Sequence, residues 1–155
     1  HPVSRVYMLG HSNGGFMTLR LACEAPDVFD GFVAVSASTW EDPTRCGNGV
    51  AKPVLLVHGD EDGTIFYEGR EGLYPGEAVT SARFARRAGC SGSFSEGERG
   101  DFVGDAAQET RREVATGCPA GAAVELWTLE GEGHAPTFDA RWTKTTFDWL
   151  QEHAP

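Results

Sequence analysis

The sequence predicts an α/β fold with a mostly parallel sheet and flanking helices. The first observation is a set of four short apolar runs, at 5–9, 31–37, 53–59 and 123–130. The first three are nearly continuous and rich in Val and Leu, which is typical of parallel strands covered on both faces. The second observation is that helical segments alternate with these runs, as they do in parallel α/β sheets.

Three segments carry helical patterns. Residues 14–25 are apolar almost all round, so we expect a helix packed deep inside the fold. Residues 76–89 end at Gly89, a residue type favoured just after a helix C-terminus. Residues 139–153 place four side chains along one side, which indicates a helix docked on a sheet. These four are Trp142, Thr146, Trp149 and Leu150.

Two stretches do not fit the alternation of strands and helices. Residues 41–53 contain two prolines and two glycines, and a loop is predicted there. Residues 89–105 are glycine-rich and acidic, and we expect a flexible excursion near one face of the sheet. The length of 155 residues favours a single domain over 1–155.

Composition restricts the kinds of partner. The chain has 23 acidic and 13 basic side chains and a net charge of −10, which argues against nucleic acid or an anionic membrane surface as the main partner. No apolar run approaches the roughly 20 residues of a transmembrane helix. The first residues, "HPVSRVYML", lack the features of a signal peptide.

The four cysteines form no Cys-x-x-Cys pair, so a zinc site is not expected. Cys90 and Cys118 bracket the glycine-rich stretch, and a disulfide between them is predicted. Cys23 and Cys46 are then left as a second pair. The alternative is that Cys23 is a buried free thiol on its apolar helix.

Three polar groups fall where predicted strands end, which is where open α/β sheets collect function. Ser12 follows the first strand within Gly-His-Ser-Asn-Gly, the acidic run 60–62 follows the third, and His134 follows the fourth. A Gly-x-Ser-x-Gly string occurs by chance in turns. Between a strand and a helix it is typical of a nucleophile elbow, in which the backbone N–H of Asn13 faces a developing oxyanion.

The order serine, acid, histidine is that of α/β-hydrolases. Ser12 is interpreted as nucleophile, His134 as general base and Asp62 as the acid that orients it, although Asp60 is a close alternative. This chemistry needs no cofactor and no metal. His58 is interpreted as a packed structural residue.

Two further residues are candidates for contact with substrate. His11 adjoins the nucleophile and is assigned to packing or pocket lining. Trp40, on the loop after the second strand, is predicted to form an aromatic wall, or else to anchor its loop.

The stretches "RVYMLGHSNGGFMTLRLACEAPDVF", "PVLLVHGDEDGTIFY" and "VELWTLEGEGHAP" together resemble secreted α/β-hydrolases of the polyhydroxybutyrate depolymerase and feruloyl esterase type. The resemblance implies a serine ester hydrolase with Ser12, Asp62 and His134 as its triad, and it favours Asp62 over Asp60. It also implies a secreted or periplasmic location with disulfide bonds. The chain departs from the family at 135–137, where Ala-Pro-Thr replaces Thr-Trp-Pro.

The resemblance also implies strands ahead of the nucleophile, and these would supply a second oxyanion donor. The chain is therefore interpreted as the C-terminal part of an α/β-hydrolase domain. We expect 5–9 to be an edge strand and the following helix to expose residues such as Phe16, Met17 or Leu19. A homodimer or an N-terminal companion segment is expected to cover this edge.

Two other functions remain open: a catalytically inert fragment or subunit, and a serine peptidase. The substrate is expected to be a small ester, a polyester or an esterified polysaccharide.

Overall fold

The computed structural model describes residues 4–47, 52–104 and 108–154. Its elements follow one another in a fixed order along the chain. They are β1 (Tyr7–His11), α1 (Asn13–Glu24), β2 (Gly31–Val35), β3 (Val54–Gly59), β4 (Gly69–Arg70), β5 (Tyr74–Pro75), α2 (Glu77–Arg87), β6 (Phe94–Glu96), β7 (Thr110–Ala115), β8 (Val124–Leu129) and α3 (Ala140–His153).

The main sheet has the strand order β1-β2-β3-β8-β7-β6. Its first four strands pair in parallel, whereas β7 runs antiparallel to β8 and β6 antiparallel to β7. The predicted α/β fold with a mostly parallel sheet is therefore confirmed. The four strands and three helices expected from the sequence are all present, with ends displaced by at most two residues.

Side chains alternate between the two faces of the sheet, and each face is covered by helices. Phe32 and Leu56 share one core with residues of α1 and α2. Val33 and Leu55 share the other core with residues of α3. The predicted buried side of α3 is confirmed, because it buries Trp142, Thr146, Trp149 and Leu150.

The predicted flexible excursion over 89–105 is wrong in part, because segments of it pair with the sheet or are buried. Phe94–Glu96 form β6, and Gly100 pairs with Thr110. Phe102 is buried, with its ring stacked at 5.3 Å on that of Trp127. The strand β7, of sequence TRREVA, was not predicted, since its polar residues hide the period of a strand that is only half-buried. Residues 105–107 lie outside the described residues.

The segment predicted as a loop over 41–53 contains a 3-10 turn at Pro43–Arg45. Asp42 caps this turn by accepting hydrogen bonds from the amide and hydroxyl of Thr44. Residues 48–51 lie outside the described residues.

Both predicted disulfides are present, so Cys23 is not a free thiol. Cys23 in α1 is bonded to Cys46 after the 3-10 turn. Cys90, just after α2, is bonded to Cys118, ahead of β8. Every helix described is too short or too polar to span a lipid bilayer.

The turn from β1 to α1 depends on close backbone approach. A Cβ at Gly10 would lie 2.2 Å from the carbonyl oxygen of Gly14, and one at Gly15 would lie 2.6 Å from the Cβ of Ala37. Gly14 itself has open space around it. Of the three glycines in this turn, Gly10 and Gly15 are required by crowding, and Gly14 is not.

The strand β1 lies at the edge of the sheet, as predicted. Two apolar side chains are exposed here: Val6, just before β1, is 42% exposed, and Leu9, within β1, is 52% exposed. In α1, Met17 is exposed and Phe16 is half-buried. The expectation for Leu19 is wrong, because Leu19 is fully buried in the core between α1 and the sheet.

Removal of the Cys90–Cys118 bond should destabilise the protein. The bond closes a loop of 28 residues, and the entropy of closing such a loop corresponds to about 3–4 kcal/mol in the free energy of unfolding. Urea denaturation of the Cys90→Ala/Cys118→Ala variant measures the loss. A variant as stable as the parent would contradict this role.

Gly10→Ala should lower the melting temperature, because its Cβ would meet the carbonyl oxygen of Gly14 and the hydroxyl of Thr18. Gly14→Ala is the matched control in the same turn. It should leave the melting temperature unchanged or raise it, since alanine is favoured over glycine within helices by about 1 kcal/mol. Equal losses from the two variants would show that crowding at residue 10 is not the constraint.

Candidate active site

Ser12 links β1 to α1 in a backbone conformation that non-glycine residues rarely adopt. Its φ is 55°, and such strain costs about 1–3 kcal/mol. Two backbone hydrogen bonds hold it there: its N–H donates to the carbonyl of Val35 at 2.9 Å, and its carbonyl accepts from Phe16 at 3.0 Å. The turn thereby lifts the Ser12 hydroxyl beyond the end of the sheet.

His134 lies on the loop that follows β8, and its ring joins the other two predicted triad residues. Its Nε2 lies 2.9 Å from Ser12 Oγ, and its Nδ1 lies 2.8 Å from Asp62 Oδ2. Because Nδ1 faces a carboxylate, it carries the proton of the neutral ring, which leaves Nε2 with a lone pair towards Ser12. The structure thus brings all three residues into one line of hydrogen bonds.

His11 holds the backbone of His134. Its Nε2 donates to the His134 carbonyl oxygen at 2.7 Å, and the two rings lie 5.0 Å apart. His11 is not among the residues that line the neighbouring pocket, which opens beside Asn13. Its contact in this structure is with the loop that carries His134.

The end of β3 holds the loop that carries His134. Asp60 Oδ1 accepts from the amide of Gly131 at 2.7 Å. A Cβ at Gly59 would lie 2.2 Å from the carbonyl oxygen of Glu132, so only glycine lets the two segments approach this closely. Asp60, the alternative acid, therefore has a structural partner of its own.

Asp62 has a fully buried side chain whose two oxygens accept different sets of hydrogen bonds. Oδ1 accepts from the amides of Thr64 and Ile65 at 2.8 and 2.9 Å. Oδ2 accepts from His134 and from His58 Nε2, the latter at 3.0 Å. Burial alone would raise the pKa of Asp62, but the hydrogen bonds from His134 and the two amides outweigh it and hold the pKa below its usual value. Asp62 is therefore a carboxylate at neutral pH.

Two buried residues behind Asp62 were not predicted as part of the site. His58, in β3, is packed as expected, yet it also bonds Asp62, and its Nδ1 lies 2.9 Å from Glu77 Oε1. Glu77 begins α2 and is 1% exposed. The spacing of His58 four residues ahead of Asp62 is the one sequence signal for this contact, whereas nothing in the sequence distinguishes Glu77 from an exposed acid.

A pocket of about 240 Å³ opens beside Asn13, the first residue of α1. Its other lining residues come from α1, the loop after β2 and the β4–β5 hairpin: Phe16, Met17, Arg20, Ser38, Thr39, Trp40 and Leu73. Trp40 forms part of this wall, and the guanidinium of Arg45 lies 4.8 Å from its ring centre. Trp40 thus lines the pocket and is packed against Arg45, and its contact with a substrate stays a prediction.

The first amides of a helix have no partner within it. The Asn13 N–H, at the N-terminus of α1, can therefore donate to an anion formed next to Ser12. Among the residues that the structure describes, no group of three or more His, Cys, Asp or Glu side chains could hold a metal ion.

No protein-family model matches the chain. It is 30% identical over 142 residues to "Putative esterase NocK" of Nocardia uniformis subsp. tsuyamanensis, covering 83% of this chain and 41% of that protein. It is 25% identical over 145 residues to "Feruloyl esterase B" of Piromyces equi, covering 84% of this chain and 25% of that protein.

A third relative is "Probable glutamyl endopeptidase, chloroplastic" of Arabidopsis thaliana. It is 31% identical over 83 residues, which cover 38% of this chain and 9% of that protein. The chain spans less than half the length of each of these relatives. Two relatives of this α/β chain thus carry the name esterase.

Proposed function

We propose that the chain carries the triad of a serine ester hydrolase of the polyhydroxybutyrate depolymerase or feruloyl esterase type. Ser12 is the nucleophile, His134 the general base and Asp62 the orienting acid. The observation that carries the proposal is the unbroken line of hydrogen bonds from Ser12 Oγ through His134 to Asp62, at 2.9 and 2.8 Å. The esterase-named relatives support the same reaction class.

In the proposed reaction, Ser12 Oγ attacks the ester carbonyl while its proton passes to His134 Nε2. The carbonyl oxygen becomes an anion next to the Asn13 N–H at the start of α1. Collapse of this intermediate breaks the ester bond, and His134 returns the proton to the departing alcohol. Water then repeats the cycle on the acyl-enzyme, so that an acid is released and Ser12 is restored.

The pocket beside Asn13 is the proposed place for one side of the ester. Phe16, Met17 and Leu73 supply apolar surface, and Trp40 supplies an aromatic wall. We also propose that His11 contributes to binding near the reacting carbonyl, since its ring lies against that of His134. A small ester, a polyester or an esterified polysaccharide fits this description.

A serine peptidase is the second candidate, and the relative named as a glutamyl endopeptidase favours it. The same triad transfers an acyl group from an amide as from an ester. A substrate panel that pairs each ester with its amide analogue distinguishes the two candidates.

We propose that an N-terminal companion segment pairs with the outer edge of β1. Exposed Val6 and Leu9 beside an edge strand support this, as does the greater length of the relatives. A homodimer through the same edge is the other outcome that sedimentation would reveal. The two disulfides support a secreted or periplasmic location, because such bonds persist in oxidising compartments.

A fluorophosphonate probe should label the protein at Ser12. Ser12→Ala should abolish labelling, because the probe captures only an activated serine. The matched control is Ser36→Ala, since Ser36 also has a positive φ, of 51°, but is buried. Its labelling should match that of the parent. No labelling of the folded parent would favour the inert fragment.

Asp62→Asn should lower kcat on the order of 10⁴-fold, as in other triads that lose their orienting carboxylate. Asp60→Asn should be mild, because an amide oxygen can still accept from Gly131. Steady-state hydrolysis of a chromogenic ester measures both variants. If Asp60→Asn were the damaging change, the acid would be assigned wrongly.

Activity should fall as the pH drops from neutral to acidic. Protonated His134 cannot accept the Ser12 proton, whereas Asp62 keeps its charge over this range because its pKa is held low. The pH profile of kcat/KM measures this acid limb. A profile that stays flat between pH 5 and pH 8 would be inconsistent with His134 as the base.

A further inference from the structure

The most unusual group that the triad does not use is the buried pair formed by His58 and Glu77. Both side chains are about 1% exposed, and both ring nitrogens of His58 have acidic neighbours. The site of every proton in this pair follows from which atoms can donate and which can only accept.

The Nε2 atom of His58 must carry a proton. It lies 3.0 Å from Asp62 Oδ2 and 2.9 Å from the carbonyl oxygen of Ile65. A carbonyl oxygen can only accept, and Asp62 is already a carboxylate that accepts on both oxygens. A bare lone pair on Nε2 would face two acceptors inside the protein, which is strongly unfavourable.

The contact between His58 Nδ1 and Glu77 Oε1 must also contain a proton. If Nδ1 carries it, His58 is an imidazolium facing a carboxylate. If Oε1 carries it, Glu77 is a carboxylic acid that donates to a neutral ring. Without this proton, a lone pair would face a carboxylate at 2.9 Å. The set Glu77, His58 and Asp62 carries one negative charge in either form.

The pKa shifts of His58 and Glu77 both agree with a retained proton. Burial alone would lower the pKa of His58, but the hydrogen bond and charge of Glu77, with the Ile65 carbonyl and Asp62, raise it above its usual value. Burial raises the pKa of Glu77, against the opposing effect of His58. Each partner therefore keeps a proton to a higher pH than it would in water.

We propose that Glu77 and His58 are positioning residues that share one retained proton and present a fixed N–H donor to Asp62. Asp62 Oδ2 then divides its charge between two donors, His58 Nε2–H and His134 Nδ1–H. This sharing reduces the negative charge that Asp62 Oδ2 presents to the His134 ring, and so weakens the attraction of Asp62 for a protonated His134. The effect on His134 rests on the proposed function, whereas the proton shared by His58 and Glu77 does not.

The other titratable or charged groups near His58 and Glu77 bond to different partners. The Tyr67 ring lies edge-on to His58 at 5.7 Å, but its hydroxyl bonds Thr128. The guanidinium of Arg111 donates to the same Thr128 hydroxyl, which in turn contacts Tyr67. On the other side of the base, His11 faces His134 at 5.0 Å and bonds its backbone.

Nitrogen NMR of protein labelled at its histidine rings tests the retained proton directly. His58 is identified by its contact with the Tyr67 ring. We expect His58 Nε2 to stay protonated from pH 5 to pH 9, with no titration over this range. Loss of the Nε2 proton, or a titration of Nδ1 that shows loss of the proton shared with Glu77, anywhere between these limits would overturn the proposal, whether or not the protein hydrolyses esters.

The double variant His58→Phe/Glu77→Leu tests the effect on the base. Removing both partners leaves neither member of the pair buried alone, but it also removes the hydrogen bonds from His58 to Asp62 and to the Ile65 carbonyl. Circular dichroism is therefore used to check that the variant is folded. We expect kcat to fall about 10- to 100-fold, since the acid is less well positioned. The acid limb of kcat/KM should move up by about one pH unit, as expected for the loss of one hydrogen bond to a charged group. KM should stay unchanged.

Two further variants separate positioning from general stability. Glu77→Gln keeps an N–H donor towards His58 Nδ1 and should retain activity and the position of the acid limb. Glu125→Leu removes another buried carboxylate, which accepts from Trp127 Nε1 at 2.7 Å, and should lower the melting temperature without moving the limb.

A folded double variant whose acid limb is unmoved would overturn the positioning role. That role would equally be overturned if Glu125→Leu moved the limb as far as the double variant does. Failure of the parent to react with the fluorophosphonate probe would count against the proposed function alone, because the NMR result does not depend on it.

Discussion

The parallel pairing of β1, β2, β3 and β8 is the constraint on which the site depends. Parallel strands end at the same edge of a sheet, so Ser12, Asp62 and His134 meet although they lie far apart in sequence. The register is held by apolar side chains on both faces, because a slip of one residue would exchange the two cores. The pairing of the strands thereby fixes the distances within the triad.

Buried carboxylates recur as ties between segments of this acidic chain. Glu109 Oε1 accepts from the amides of Phe102 and Val103, which fixes the approach to β7. Asp62 fixes its own turn in the same way, through the amides of Thr64 and Ile65. A carboxylate accepts several N–H groups at once, so one side chain can satisfy a turn that lacks regular pairing. Glu77 differs, because its partner is a titratable ring instead of backbone.

Sequence patterns predicted the elements whose signal is local. The apolar runs, the helical face of α3 and the Gly-x-Ser-x-Gly turn each depend on residues that are neighbours in the chain. The strands β6 and β7 were missed, because β7 depends on pairing with β8 and β6 on pairing with β7, and because their composition is polar or glycine-rich. The choice between Asp60 and Asp62 came from the resemblance, and the separate partners of the two acids emerge only in three dimensions. Glu77 could not have been found, since its burial follows from how α2 packs on the sheet.

The Cys23–Cys46 bond joins α1 to the loop after β2, the two segments that supply most of the lining of the pocket beside Asn13. One wall consists of α1, which carries Phe16 and Met17, and the other is the loop that carries Trp40. The bond fastens the end of that loop to the end of that helix, so the width of the cleft is covalently fixed. Reduction would remove this covalent tie and leave the Trp40 loop held by weaker contacts, such as the hydrogen bond from Arg83 to the Trp40 carbonyl at 2.7 Å. Under the proposed function, the acyl or alcohol groups that this pocket accepts would therefore depend on a bond that persists in oxidising surroundings.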